Sequence, residues 1–196
     1  MRKSEIIRKT NETDIRIYLN IDGIGESNIN TGSSFLNHML ELFAKHGRFD
    51  LNVYCNGDKE VDYHHSVEDI AIVLGQAFKE AVTEKRGISR YSDILLPMDE
   101  ALVSIAVDFS GRSYLVFNAE MPTEKVGDFD TELIREFFTA FTRECGLNLH
   151  INLMYGSNTH HIIEGIFKGT ARCLRGSLNI IDELKDEIPS TKGVLW

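Results

Sequence analysis

The chain has no apolar run approaching the ~18 residues that a membrane-spanning helix needs. It also has no apolar stretch behind its basic start, because Met1-Arg2-Lys3-Ser4-Glu5 turns polar at once. A secretory leader is therefore not expected, and cytoplasmic residence is. Cysteine is scarce: Cys55, Cys145 and Cys173 are too far apart for a C-x-x-C pair and too few for a disulfide framework. Each has apolar neighbours, so all three read as reduced core residues. Positive charge is in deficit, with 21 Lys and Arg against 30 Asp and Glu, a net charge of −9. That balance argues against nucleic acid or an anionic membrane as the main partner. It leaves room for a small phosphorylated molecule, which a few local cations can hold. A length of 196 residues suits one domain or two small half-domains packed together.

What the sequence does have is an internal repeat. Asn11-Glu12-Thr13 through Gly23 aligns with Asp99-Glu100-Ala101 through Gly111. Both segments carry Glu second, alternate apolar residues and close on Gly. The alternation of Ile15, Ile17, Leu19 and Ile21, and of Val103, Ile105, Val107 and Phe109, predicts half-buried strands. A helical stretch follows each: Phe35, Leu36, Met39, Leu40 and Phe43 in the first half, and Leu133, Ile134, Phe137, Phe138 and Phe141 in the second. A further alternating strand comes next, at Phe49 to Cys55 and at Leu147 to Leu153. Each half then closes on a long helix. The order strand, helix, strand, motif, helix thus occurs twice, with the segment Thr83 to Asp93 as the junction. The expected fold is α+β, two similar half-domains (residues 1–90 and 91–196) with helices packed between two β-sheets.

Each closing helix opens with the same motif, His64-His65-Ser66-Val67-Glu68 and His160-His161-Ile162-Ile163-Glu164. Residues three or four apart share a helix face, whereas neighbours diverge by about 100°. The spacing predicts that His65 with Glu68, and His161 with Glu164, chelate one ion each. His64 and His160 then point elsewhere, and each completes the site of the opposite half. Imidazole with carboxylate and no thiolate suits a divalent ion such as manganese, iron or zinc, but not a cysteine-type zinc site. His38 interrupts an apolar helix stripe as a candidate further ligand. Repeat alignment sets Glu136 at the matching place in the second half. His150, on the strand before the second motif, reads as structural.

Taken together, Arg8-x-Thr10-x-Glu12-Thr13, Thr31-Gly32-x-x-Phe35-Leu36-x-His38-Met39-Leu40, the two His-His-x-x-Glu motifs, Pro97-x-Asp99-Glu100, Asp108-x-Ser110-Gly111-Arg112-x-Tyr114, Phe167-Lys168 and Lys192-Gly193 run in order along nearly the whole chain. In this the sequence resembles imidazoleglycerol-phosphate dehydratase, in its single-function form. The resemblance implies two manganese ions (Mn2+) per active site and conversion of imidazole glycerol phosphate to imidazole acetol phosphate with loss of water. It also implies a homo-oligomer of 24 subunits built from trimers, with active sites completed by neighbouring subunits. By position, His38, His65, Glu68 and His160 would hold one metal, and His64, His161, Glu164 and Glu136 the other, where many relatives have His at 136. Arg90, Arg112, Lys168, Ser190 and Lys192 match phosphate-binding positions, with Thr191 in a tail that relatives more often spell Ser-Ser-Lys-Gly. Ser92 stands where a glycine is usual. His46 is placed near the substrate.

The chemistry suits these parts. The carbon-bound proton that must leave is not acidic, because no carbonyl adjoins it. A divalent ion on the imidazole nitrogens makes ring deprotonation feasible, and the ring can then expel the neighbouring hydroxyl. A positioned carboxylate removes the carbon-bound proton, and the resemblance favours Glu12 for that role. Two other readings remain at this level: a two-metal hydrolase of a phosphorylated small molecule, and a ferritin-like storage or metal-sensing particle. The hydrolase would hold water where the dehydratase holds an imidazole ring. The particle would have no need of the Arg and Lys set.

Overall fold

The protein is described here as a computed structural model covering residues 2–195. The first sheet is built from β1 (Lys3–Lys9), β2 (Thr13–Asn20), β3 (Ser27–Asn30) and β4 (Asp50–Gly57), in the order β1-β2-β4-β3. The second contains β5 (Tyr91–Met98), β6 (Ala101–Asp108), β7 (Tyr114–Asn118) and β10 (Asn148–Tyr155), in the order β5-β6-β10-β7. A small hairpin, β8 (Lys125–Val126) with β9 (Phe129–Asp130), lies outside both. In each sheet the first two pairings are antiparallel, while β3 with β4 and β7 with β10 are parallel. Identical strand order and identical parallel edges in both halves are what a duplicated unit produces.

Four helices complete the repeat: α1 (Ser34–Gly47), α2 (His64–Ala81), α3 (Leu133–Cys145) and α4 (Thr159–Ser177). They lie between the sheets. α2 packs on β1 and β2, α4 packs on β5 and β6, and the pairs α1–α4 and α2–α3 join the two halves. The periodicities of the sequence account for this. Ile15, Ile17 and Leu19 of β2, and Val103, Ile105 and Val107 of β6, are buried on one face. The helix stripes from Phe35 to Phe43 and from Leu133 to Phe141 are buried against them. At the centre Phe43, Phe78 and Phe141 meet edge to face, with ring centroids 5.7–6.3 Å apart.

The structure also has two elements per half that the sequence reading did not separate. β1 and β5 are edge strands, and β3 and β7 are the short parallel strands at the opposite edges. The segment taken as the junction runs into β5, whose Pro97 is tolerated because an edge strand leaves one side of its ladder unpaired. Ser92 lies inside β5, opposite Val107, and its side chain faces Gly176 of α4. A Cβ at Gly176 would run into Ser92 Oγ, so the helix supplies the room that a glycine at 92 would otherwise have given. All three cysteines are free and buried, as their apolar surroundings predicted. No helix among the described residues is long and apolar enough to cross a membrane.

Candidate active site

The start of α4 is held from two sides. Asn158 caps the helix, its Oδ1 accepting from the backbone N–H of His160 at 2.9 Å and of His161 at 3.3 Å. Glu100, just before β6, accepts through Oε1 from the N–H of Ser157 and Asn158 at 3.2 and 2.7 Å. The helix therefore begins in a fixed place and aims its two histidines apart. His160 faces down the helix to Glu164, one turn on, with Nε2 3.0 Å from Oε1. α1 packs alongside, and His38 Nε2 reaches the same Oε1, also at 3.0 Å. Ser33 caps α1 by accepting from Leu36 N–H at 3.4 Å, which fixes the register that puts His38 there.

His38, His160 and Glu164 thus present three donors within 4.8 Å of one another, the one such group among the described residues. Behind them Lys168 donates to Glu164 Oε2 and also lies 3.4 Å from Met98 Sδ. Burial pushes the Glu164 carboxyl up. The hydrogen bonds from Lys168, His38 and His160 outweigh it and hold the group at about 2. His46, half-buried on α1, faces the same ground. Burial lowers its pKa, and the charges of Lys168 and Arg172 lower it further.

This grouping differs from the one expected from spacing. The carboxylate pairs with the histidine four residues back, not three. On α2, likewise, His64 Nε2 lies 4.0 Å from Glu68, while His65 turns away. Helical side chains lean toward the N-terminus, so a carboxylate meets the residue one full turn earlier. The second histidine of each motif is engaged elsewhere. His65 Nδ1 lies 2.9 Å from Asp58 Oδ2, and His161 Nδ1 lies 2.7 Å from Glu100 Oε2. Those carboxylates raise both histidine pKa values, and the His161 contact is the leading cause that holds Glu100 at about 2. Asp58 and Glu100 had no assigned role in the sequence reading. Only the alignment of Glu100 with Glu12 hinted at one.

His64, His65, Glu68, His161 and Glu136 do not join the three-donor group within one chain. Glu136, half-buried on α3, lines a separate groove of about 1130 Å³ together with Glu120, Glu124, Asp130 and Glu132. Arg90, Arg112, Ser190, Thr191 and Lys192 do converge, lining one cavity of about 460 Å³ beneath the C-terminal tail. Lys168 is not among them. Glu12 sits apart in the β1–β2 turn, on a shallow cavity of about 320 Å³ shared with Asp58. His150 is exposed on the outer face of β10.

Comparison with known proteins decides what this constellation belongs to. Residues 31–174 match the model of the family described as imidazoleglycerol-phosphate dehydratase. The chain is 57% identical over 195 residues to the protein of that name from Oceanobacillus iheyensis, covering 100% of both chains. It is 53% identical to the one from Xanthobacter autotrophicus, covering 100% of this chain and 99% of that one. The chain belongs to the imidazoleglycerol-phosphate dehydratase family. Solved dehydratase structures share the fold. The Staphylococcus aureus enzyme superimposes with a TM-score of 0.84 at 44% identity, over 91% of this chain and 99% of that one. The Pyrococcus furiosus enzyme, in complex with (S)-C348, gives 0.83 at 34% identity, over 97% and 100%. The activity is that of a hydro-lyase in histidine biosynthesis, and its substrate is a small phosphorylated imidazole. The hydrolase and storage-particle readings are thereby set aside.

Proposed function

We propose that this dehydratase works with two manganese ions, the first held by His38, His160 and Glu164. The observation that carries this reading is the three-donor cluster itself: two imidazoles and one ionised carboxylate suit a borderline-hard divalent ion. The internal repeat supports a second site at the equivalent residues of the other half. α2 and α3 pack as α4 and α1 do, His64 and Glu68 repeat His160 and Glu164, and Glu136 stands where His38 stands. Residues 1–90 and 91–196 then contribute one chelating helix each. The acidic groove at Glu136 favours an incoming cation. His65 and His161, turned outward and oriented by Asp58 and Glu100, would complete sites on neighbouring copies in a homo-oligomer, the 24-subunit particle that the resemblance implies. Carboxylate orientation of a ligand imidazole is the usual supporting contact at such sites. A cytoplasmic setting agrees with three buried free thiols.

Manganese, when bound, supplies the Lewis acidity that makes the imidazole ring of the substrate easier to deprotonate. The chain's own residues do the rest. Arg90, Arg112, Ser190, Thr191 and Lys192 grip the phosphate, and charge-assisted donors in a cavity this size fix one end of the substrate. Glu12 takes the carbon-bound proton as the hydroxyl beside the ring departs. One proton and one hydroxide leave as water, and the resulting enol tautomerises to the ketone. His46 and Lys168 line the approach to the first site.

Two measurements test the assignment. Metal analysis after manganese reconstitution should count about two ions per chain, falling towards one in Glu136→Ala and recovering in Glu136→His. An alanine variant that still holds both ions removes Glu136 from the ligand set. Arg112→Ala and Lys192→Ala should each raise KM by about tenfold or more while leaving the metal count and kcat nearly unchanged, because both line the phosphate cavity and neither belongs to the metal cluster. An unchanged KM in both would dismiss the cavity as the phosphate site.

A further inference from the structure

Beneath the cavity at Arg90, Arg112 and Lys192 lies a carboxylate that does not line it. Asp108, the last residue of β6, is 16% exposed. Its Oδ1 accepts from Arg90 Nε at 2.8 Å and its Oδ2 from Arg90 Nη2 at 3.3 Å, a two-pronged grip on one guanidinium. Oδ2 also lies 4.0 Å from Arg112 Nη2. The third nitrogen of Arg90, Nη1, donates to the carbonyl of Pro189 at 2.8 Å, the residue just before Ser190, Thr191 and Lys192. A chain of contacts therefore runs from the sheet through Asp108 and Arg90 to the tail that carries three of the expected phosphate groups. Arg90 itself sits at φ 69°, a backbone conformation unusual for a side-chain-bearing residue. Its backbone is tied on both sides, by N–H to Ser177 O at 2.7 Å and by its carbonyl to Phe109 N–H at 2.9 Å.

We propose that Asp108 is the positioning residue of the phosphate grip: it orients Arg90, and through Arg90 it holds the Ser190–Lys192 tail over the substrate. The inference rests on the reading of this cavity as the phosphate site. The charge balance agrees with it. Arg90, Arg112 and Lys192 bring three positive charges and Asp108 removes one, so a phosphate dianion meets a matching pair. Without Asp108 two guanidinium groups and an ammonium would share one cavity with no carboxylate among its described lining residues.

Asp108→Asn distinguishes positioning from plain electrostatics, because the two predict opposite signs. If Asp108 acted only as a nearby negative charge, its neutralisation would tighten phosphate binding. If it positions Arg90 and the tail, its loss should raise KM about tenfold or more and weaken competitive inhibition by inorganic phosphate to the same extent. kcat and metal content should hardly move. Arg90→Lys keeps the charge but loses both the two-pronged contact and the reach to Pro189, so it should show the same KM effect. The double variant should be no worse than either single one. If Asp108→Asn does not fold, Asp108→Glu carries the test in its place, because it keeps the charge and shifts the two-pronged contact, so only a positioning role predicts a raised KM. Unchanged or tighter phosphate binding in either variant overturns the proposal. If Arg112→Ala and Lys192→Ala also leave phosphate binding unchanged, the phosphate reading of the cavity has failed; if those two weaken it, only the role of Asp108 has.

Discussion

Glu164→Gln should reduce turnover by about a thousandfold or more, roughly 4 kcal/mol of barrier, with one metal ion lost per chain. The amide keeps the shape of the side chain and loses the charge that two imidazoles and one ammonium share. Stability should fall as well. The Lys168 side chain is 14% exposed, and Glu164 is its one carboxylate partner among the described residues. Removing one member of a shielded ion pair strands the other, which costs more than the pair contributes when intact. Lys168→Met on the Glu164→Gln background should recover melting temperature without recovering the ion, and that separates ligand loss from structural damage. Glu164→Gln protein with both ions still bound would sink the assignment. The pH dependence has a defined sign. A carboxyl held at about 2 rather than its ordinary 4.5 is fully ionised at neutral pH. Its contribution to stability persists above 4.5 and is lost only as pH falls through about 2.

How far the sequence carried can be seen in single residues. The strands β2 and β6 and the helices α1 and α3 were legible because one face of each is wholly buried, so period 2 and period 3.6 appear undiluted. β1, with Lys3, Glu5 and Lys9 on its solvated side, and β5, with Pro97, read as polar or broken segments. Edge strands carry that pattern because charge and proline protect an open edge. The residues of the three-donor cluster were all among the candidates, but the structure groups them differently from the spacing. Spacing shows that His160, His161 and Glu164 lie within one turn. It does not show which imidazole α1 will meet, since that follows from how α1 packs on α4. Asp108 and Asp58 were invisible as supporting groups because their partners, Arg90 and His65, are brought to them by a strand pairing and a helix start. The converging tail at Ser190–Lys192 was recognised through likeness to relatives, not through any local pattern.

The repeat also bears on the proposal that Glu12 moves the proton. Glu12 and Glu100 occupy matching places ahead of β2 and β6, yet their surroundings differ. Glu100 is committed, with Oε1 on two backbone N–H groups, Oε2 on His161 and a carboxyl held at about 2. A carboxylate stabilised that far is a weak base. The Glu12 carboxylate accepts no hydrogen bond among the described residues, and His65 Nε2 lies 3.8 Å from it. Its backbone, by contrast, is fixed. Thr10 Oγ1 accepts from the N–H of Glu12 at 3.1 Å and of Thr13 at 3.0 Å, and Asp58 N–H donates to the Glu12 carbonyl at 3.1 Å. A rigid turn carrying an uncommitted carboxylate is what proton abstraction needs, since the base must be both placed and available. Glu12→Gln should therefore lower kcat by about 10²–10⁴-fold, the range for loss of a general base. Metal content should stay at its wild-type value and KM should change only a few-fold, because the amide removes the base and leaves the turn intact. Glu12→Asp, which keeps the base but withdraws it by one methylene, should fall between the two. Steady-state kinetics with metal analysis on the three proteins decides the matter, and Glu12→Gln protein with normal turnover would assign the proton transfer to another group.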